Sequence, residues 1–206
     1  MIARPNLALM RDAPTVPRLD DHAIHIWRVP VDGGSRRAAR VALLALLSAY
    51  LDRTVDGSEI ELSPTGKPEL AAGLPRFNIS HSGELALIAF ATRAELGIDI
   101  ERPSARPRTQ LADRICSAAE REWLARQADP DSALLRLWVR KEATVKASGT
   151  GIVGMEPLRA LDVLGDMAPG DWRLHDLPAP APGYRAAIAH GAPADVALVQ
   201  LRFGDL

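Results

Sequence analysis

The order of elements predicts a mixed α/β (α+β) chain in two similar halves. Three observations carry this. Each half runs strand, helix, strands, with alternating apolar residues in the strands and a 3.6-residue apolar period in the helices. The segment Glu84-Leu-Ala-Leu-Ile-Ala-Phe90 echoes Asp195-Val-Ala-Leu-Val-Gln-Leu201, as repeated strands of two related lobes would. A length of 206 residues with 47% hydrophobic side chains suffices for one large core or two small ones. The expected division is an N-terminal lobe over 1–96, with an extended arm at 1–22, and a C-terminal lobe over 97–206.

The arm is extended because Pro5, Pro14 and Pro17 interrupt any helix. Ala23 to Val31 follows as a strand carrying Ile24, Ile26 and Val29. Asp32-Gly-Gly-Ser35 breaks it and caps a helix running to about Leu51. Ile60 to Leu62 is a short strand, and Pro64-Thr-Gly66-Lys67-Pro68 a turn in which glycine and proline set the backbone. Phe77 to Ser80 and Glu84 to Thr92 pair through His81-Ser82-Gly83. The second half opens on the strand beginning at Gly97, followed by a basic loop, Arg102 to Pro107. A helix covers Leu111 to Cys116, and Ser117-Ala-Ala-Glu120 is a capping box that starts another. Asp129-Pro130 opens a long helix that Gly149 stops. Trp172 to Leu177, Tyr184 to His190 and Val196 to Phe203 close the chain as strands.

Bulk properties exclude several classes. A net charge of −1 creates no global field for nucleic acid or an anionic membrane, although arginines cluster locally. The single cysteine, Cys116, allows no internal disulfide and no thiolate metal set. Val41 to Leu47 is the longest apolar run, far short of the roughly 20 residues that span a bilayer. Met1 to Arg18 mixes prolines, arginines and acids, unlike a signal peptide. A cytoplasmic protein is expected, and Asn78-Ile-Ser80 is then no glycosylation site.

The chemistry concentrates in Trp138-Val-Arg-Lys141-Glu142-Ala-Thr-Val-Lys146-Ala-Ser-Gly149. On a helical wheel Leu134, Trp138 and Val145 share one stripe, and Glu142 lies only about 40° from Trp138. Glu142 and Lys146 stand at the spacing of an ordinary surface ion pair. A carboxylate inside an apolar face, however, must be desolvated unless a cation or hydrogen-bond donors meet it. Gly97-Ile98-Asp99-Ile100-Glu101 alternates strictly, which puts Asp99 and Glu101 on one strand face about 7 Å apart. Two such charges repel unless a cation bridges them or water screens them. A solvent-facing edge is the ordinary explanation; the second acid-bearing element argues for a shared site.

Four motifs stand in order: Gly66-Lys67-Pro68, Phe77-Asn-Ile-Ser80-His81-Ser82, Gly97-Ile-Asp99-Ile-Glu101, and Trp138-x-x-Lys141-Glu142-Ala143-x-x-Lys146-x-x-Gly149-x-Gly151. In this order and spacing the set closely resembles the 4′-phosphopantetheinyl transferases of the large, two-lobed type typified by surfactin synthetase activation. The resemblance implies a pseudo-two-fold pair of lobes, each a small, mainly antiparallel sheet on a long helix, with the active site at their junction. It implies a Mg²⁺ ion held by Asp99, Glu101 and Glu142. The implied reaction moves the phosphopantetheine arm of coenzyme A onto a serine of an apo acyl or peptidyl carrier protein and releases adenosine 3′,5′-bisphosphate. Glu142 and Lys146 take the catalytic roles, Glu142 receiving the serine proton directly or through a metal-bound water. Coenzyme A contacts fall by the same resemblance on Arg40, on Gly66, Lys67 and Pro68, on Ser80 and His81, and on Lys146. Arg36 and Arg37 stand near Arg40 as substitutes. A monomer is implied, because the smaller trimeric synthases of this chemistry have chains about half as long.

The residues themselves agree with this chemistry: three acids without a His or Cys cluster suit a hard cation such as Mg²⁺, which also bridges pyrophosphate oxygens. Two departures stand out. Val139 occupies a position usually held by a small hydroxyl or thiol residue, and Pro30-Val-Asp32-Gly-Gly replaces lysines that some relatives carry. Among rivals, a Ser-His hydrolase fails because Ser80 and His81, adjacent in a strand, face opposite ways and no G-x-S-x-G elbow is present. Gly149-Thr-Gly151-Ile-Val-Gly154 follows a helix and lacks the Lys-Ser/Thr pair of a phosphate loop. A non-catalytic coenzyme A or carrier-binding module of the same fold is the remaining alternative.

Overall fold

The computed structural model describes residues 16–31, 33, 35–103, 109–151, 156–192 and 197–203. Residues 1–15 of the expected arm and 104–107 of the basic loop lie outside these; Val16 and Leu19, in the arm, pack on the first core. Strand β1 (Ala23–Pro30) leads to helix α1 (Arg36–Leu51), whose first turn is capped by Ser35 accepting from the Ala38 amide. A one-turn 3₁₀ helix, Gly57–Glu59, leads into a hairpin of β2 (Ile60–Leu62) and β3 (Pro68–Leu70). Strands β4 (Arg76–Ser82) and β5 (Leu85–Ala91) complete the first half. They pair antiparallel, and β5 pairs antiparallel with β1.

The second half repeats the order. Strand β6 (Leu96–Glu101) is followed by α2 (Thr109–Ile115), α3 (Ala118–Leu124) and the long α4 (Pro130–Ser148). The Ser117–Glu120 capping box forms as expected, and α4 runs from its Asp129 cap to Gly149 in the left-handed conformation. After α5 (Glu156–Ala160) come β7 (Met167–Ala168), β8 (Trp172–Leu177) and β9 (Arg185–His190), giving a second sheet in the order β6-β9-β8-β7. In each half, then, the first strand pairs antiparallel with the last strand of a following hairpin.

The last strand departs from the expected division. Strand β10 (Ala197–Arg202) pairs parallel with β1, and the first sheet reads β10-β1-β5-β4. A boundary at 96/97 therefore does not separate the sheets, because the chain returns to the first one at its end. Leu201 and Phe203 pack on the α1 core and Leu198 on the cluster between the sheets, which explains the return. The echo between Glu84–Phe90 and Asp195–Leu201 relates β5 to β10, although in topology β9 is the counterpart of β5.

Apolar burial is organised in three layers. Leu43, Leu46 and Leu47 of α1 pack with Trp27, Ile88 and Phe90 of the first sheet. Leu134, Leu137 and Val145 of α4 pack with Leu174, Ala187 and Ala189 of the second. Between the sheets, Ile24, Ile26 and Leu87 meet Ile98, Ile100 and Ile188. Helix α4 is buried on nearly every side, including Arg140 and Lys141. Among the described residues no helix is long and apolar enough to cross a membrane.

Candidate active site at the β6–α4 junction

The site begins with a glycine. A Cβ on Gly97 would fall inside the backbone of Ala143 and Ala147, so only glycine lets α4 lie directly on β6. That approach brings the last turns of α4 against the acidic strand. Lys146 Nζ lies 2.6 Å from Asp99 Oδ1 and donates to the Ile98 carbonyl at 3.3 Å and to Ser80 Oγ at 3.2 Å. Asp99 itself is 4% exposed, and its Oδ2 is buried with no hydrogen-bond partner among the described residues.

Glu142, one turn earlier on α4, is 9% exposed. Burial first, and then the charge of Asp99, push its carboxyl up to about 7; Glu101 adds to this and Lys146 opposes it. Lys146 lies within electrostatic reach of Glu142, but desolvation and two carboxylates outweigh it. Asp99, Glu101 and Glu142 share one electrostatic neighbourhood with Lys146. Among the described residues, however, no three histidine, cysteine or acidic side chains stand in ready metal-binding geometry. Lys146 occupies Asp99 Oδ1 where a cation would be expected.

Strand β4 supplies the other wall. Ser80 donates its hydroxyl hydrogen to Asp99 Oδ1 at 2.7 Å and accepts from Lys146 and, at 3.4 Å, from the Ile100 amide. One donor hydrogen and two lone pairs are all a hydroxyl has. Ser80 is therefore committed to the carboxylate and the lysine, in competition with the phosphate contact the resemblance implies. His81 points to the opposite face of β4, as alternation requires, and is half-buried. Burial, and then the charges of Arg36 and Lys146, lower its imidazole below the ordinary value. Helix α1 thus brings Arg36, rather than Arg40, within electrostatic reach of the site. Arg40 is exposed and donates to the Gly57 carbonyl at 3.0 Å within its own half.

The Gly66-Lys67-Pro68 turn folds on itself: Gly66, at φ 85°, donates to the Ser63 carbonyl, and Ser63 to that of Lys67, each at 2.9 Å. It lies beside the end of α4, since a Cβ on Gly151 would stand 3.5 Å from Thr65. Lys67 is not free in this structure. Its Nζ donates to Glu95 Oε2 and to the Leu96 carbonyl, both at 3.2 Å, which ties the β2–β3 hairpin to the strand carrying the acids.

Two features escaped the sequence reading. Lys141 and Glu120 form a fully buried ion pair at 2.8 Å, and Lys141 Nζ also donates to the carbonyls of Leu158 and Leu161. Their separation of 21 positions gives no local signal, although Glu120 had been placed in its capping box. Ser82, quoted only as part of a motif, donates to Glu101 Oε2 at 2.9 Å. The signal for it was present in Asn78, Ser80 and Ser82, three polar residues on one face of a strand whose other face begins with Phe77 and Ile79.

Residues 95–189 match the model of the 4′-phosphopantetheinyl transferase superfamily, a span that holds both acidic motifs. The chain is 35% identical over 128 residues to a putative 4′-phosphopantetheinyl transferase of Haemophilus influenzae, covering 60% of this chain and 54% of that protein. It is 38% identical over 121 residues to the 4′-phosphopantetheinyl transferase AcpT of Salmonella typhimurium, covering 56% and 61%. With the 4′-phosphopantetheinyl transferase HetI of Nostoc it shares 29% identity over 192 residues, covering 75% of this chain and 76% of that one. The first two alignments span little more than half the length of those relatives. Among solved structures, the holo-[acyl-carrier-protein] synthase of Thermotoga maritima aligns with a TM-score of 0.39 and 16% identity, over 47% of this chain and 61% of that one. By sequence the chain is similar to 4′-phosphopantetheinyl transferases, most clearly over residues 95–189.

Proposed function

We infer that this protein is a Mg²⁺-dependent 4′-phosphopantetheinyl transferase that modifies a serine of an apo acyl or peptidyl carrier protein with the arm of coenzyme A. The observation that carries this is the meeting of Asp99, Glu142 and Lys146 at one junction, with Glu142 raised to about 7. The serine oxygen forms a bond to the phosphorus that bears the pantetheine arm. The phosphoanhydride bond breaks, and adenosine 3′,5′-bisphosphate leaves with the electron pair. Glu142 takes the serine proton. Lys146 reaches phosphate oxygens from Asp99 and offsets their charge. Arg36 and His81, which share an electrostatic environment with Lys146, take the nucleotide, and Lys67 leaves Glu95 to bind it.

A divalent cation fits the residues present. Among the described residues Asp99 Oδ2 is a buried acceptor with no partner, and the repulsion felt by Glu142 marks a site short of positive charge. The donors are carboxylate oxygens, the ligands hard cations prefer. Asp99, Glu101 and Glu142 would hold it, and when bound it neutralises charge that builds on the phosphoanhydride. The matching strand order of the two halves supports reading them as a pseudo-two-fold pair with the site at their junction.

The test is replacement of the acids. Asp99→Ala and Glu142→Ala abolish transfer to an apo carrier protein while circular dichroism shows the fold retained. Full activity in either variant overturns the assignment.

A further inference from the structure

The two four-stranded sheets meet at β4 and β6, but they remain separate sheets with no backbone ladder between those edges. Side chains of β4 take the place of its carbonyls. Asn78 Oδ1 accepts from the Ile98 amide at 2.9 Å, Ser80 Oγ from Ile100 at 3.4 Å, and Ser82 Oγ from Arg102 at 3.1 Å. Three polar side chains at every second position of one strand meet three amides at every second position of the other, the strand period on both sides.

Two of these rungs continue. A hydroxyl that accepts from a fixed backbone amide must turn its own hydrogen elsewhere. In Ser80 that hydrogen goes to Asp99 Oδ1 at 2.7 Å, and in Ser82 to Glu101 Oε2 at 2.9 Å. The amide orients the hydroxyl and the hydroxyl orients the carboxylate. Asn78 differs, because its rung ends on the Ile98 amide, next to a glycine.

The geometry points to Ser80 and Ser82 as positioning residues that hold one oxygen each of Asp99 and Glu101 and so fix the orientation in which the two carboxylates meet a divalent cation. This rests on the assignment of those acids to metal. Asp99 Oδ2 has no hydrogen-bond partner among the described residues. Partners of this outer kind govern metal affinity without touching the metal. Ser82 is the better probe, since Ser80 also receives Lys146.

The experiment uses the full chain and Mn²⁺ as the probe, with free Mn²⁺ followed by electron paramagnetic resonance and melting followed in parallel. Ser82→Ala binds Mn²⁺ about tenfold more weakly, whereas Ser82→Thr, which keeps the hydroxyl, stays within about twofold of the parent. Asn78→Ala lowers the melting temperature but leaves Mn²⁺ affinity within about twofold, because it removes a rung that serves no carboxylate. Should Ser82→Ala not fold, Ser82→Cys, a weak donor, takes its place. Unchanged affinity in Ser82→Ala, or an equal loss in Asn78→Ala, overturns the positioning role while leaving the metal assignment intact. A parent protein that binds no Mn²⁺, or an Asp99→Asn variant that binds it as the parent does, overturns the metal assignment and this inference with it.

Discussion

Glutamine at position 142 tests the electrostatics of the site without any substrate. The Glu142 carboxyl is raised from 4.5 to about 7 in the folded chain, by burial first and by Asp99 second. Between those values the folded state binds more protons than the unfolded one, so stability falls as pH rises from about 4.5 through about 7. The extra stability is fully present below 4.5 and lost above about 7. At roughly 1.4 kcal/mol per pH unit of displacement, ionising Glu142 costs the metal-free protein about 3–4 kcal/mol, of which about 2.5 falls between pH 5 and pH 8. Glu142→Gln is nearly isosteric and cannot ionise, so this part of the pH dependence disappears. Urea unfolding in EDTA at pH 5 and pH 8 reads it directly. With a slope of about 2 kcal/mol per molar, the parent midpoint drops by about 1 M more than that of the variant. Identical pH dependence in the two proteins refutes the account of Glu142.

Three further outcomes follow from the geometry. Gly97→Ala drives a Cβ into the α4 backbone and destabilises the protein by about 3 kcal/mol or more in urea unfolding; Gly165→Ala, into open space, changes it by less than about 0.5 kcal/mol. Lys141→Met strands the buried Glu120 charge and costs about 3–5 kcal/mol in the same assay, while Lys141→Met with Glu120→Leu recovers much of that loss. Arg36→Ala weakens coenzyme A binding in calorimetry more than Arg40→Ala does, since Arg36 acts on His81 whereas Arg40 is held by Gly57. Equal losses would return Arg40 to the nucleotide site.

The site was legible where one periodicity decided it. Glu142 stands out because a single wheel places it beside Trp138, and Asp99 with Glu101 because a strand alternates; in the structure Lys146 pairs with Asp99, and Glu142 feels the charges of Asp99, Glu101 and Lys146. What needed a second element was not legible. Alternation identifies β10 as a strand but cannot name β1 as its parallel partner. Gly97 reads as a strand interruption until a helix is laid across it. The choice between Arg36 and Arg40 depends on how α1 is rotated over its sheet, and four positions along a helix shift a side chain by a full turn as well as about 40°. Lys67 carried the right charge, but its present partner, Glu95, is 28 positions away. Pairings of that kind record how elements stack, which residue spacing does not encode.

The central claim is group transfer, and the most direct measurement is the intact mass of an apo carrier protein incubated with this protein, coenzyme A and Mg²⁺, with a parallel reaction in EDTA. The account predicts a gain of one phosphopantetheine mass that EDTA prevents. No gain on acyl or peptidyl carriers, with coenzyme A still bound, would contradict it and leave a binding module in place of an enzyme.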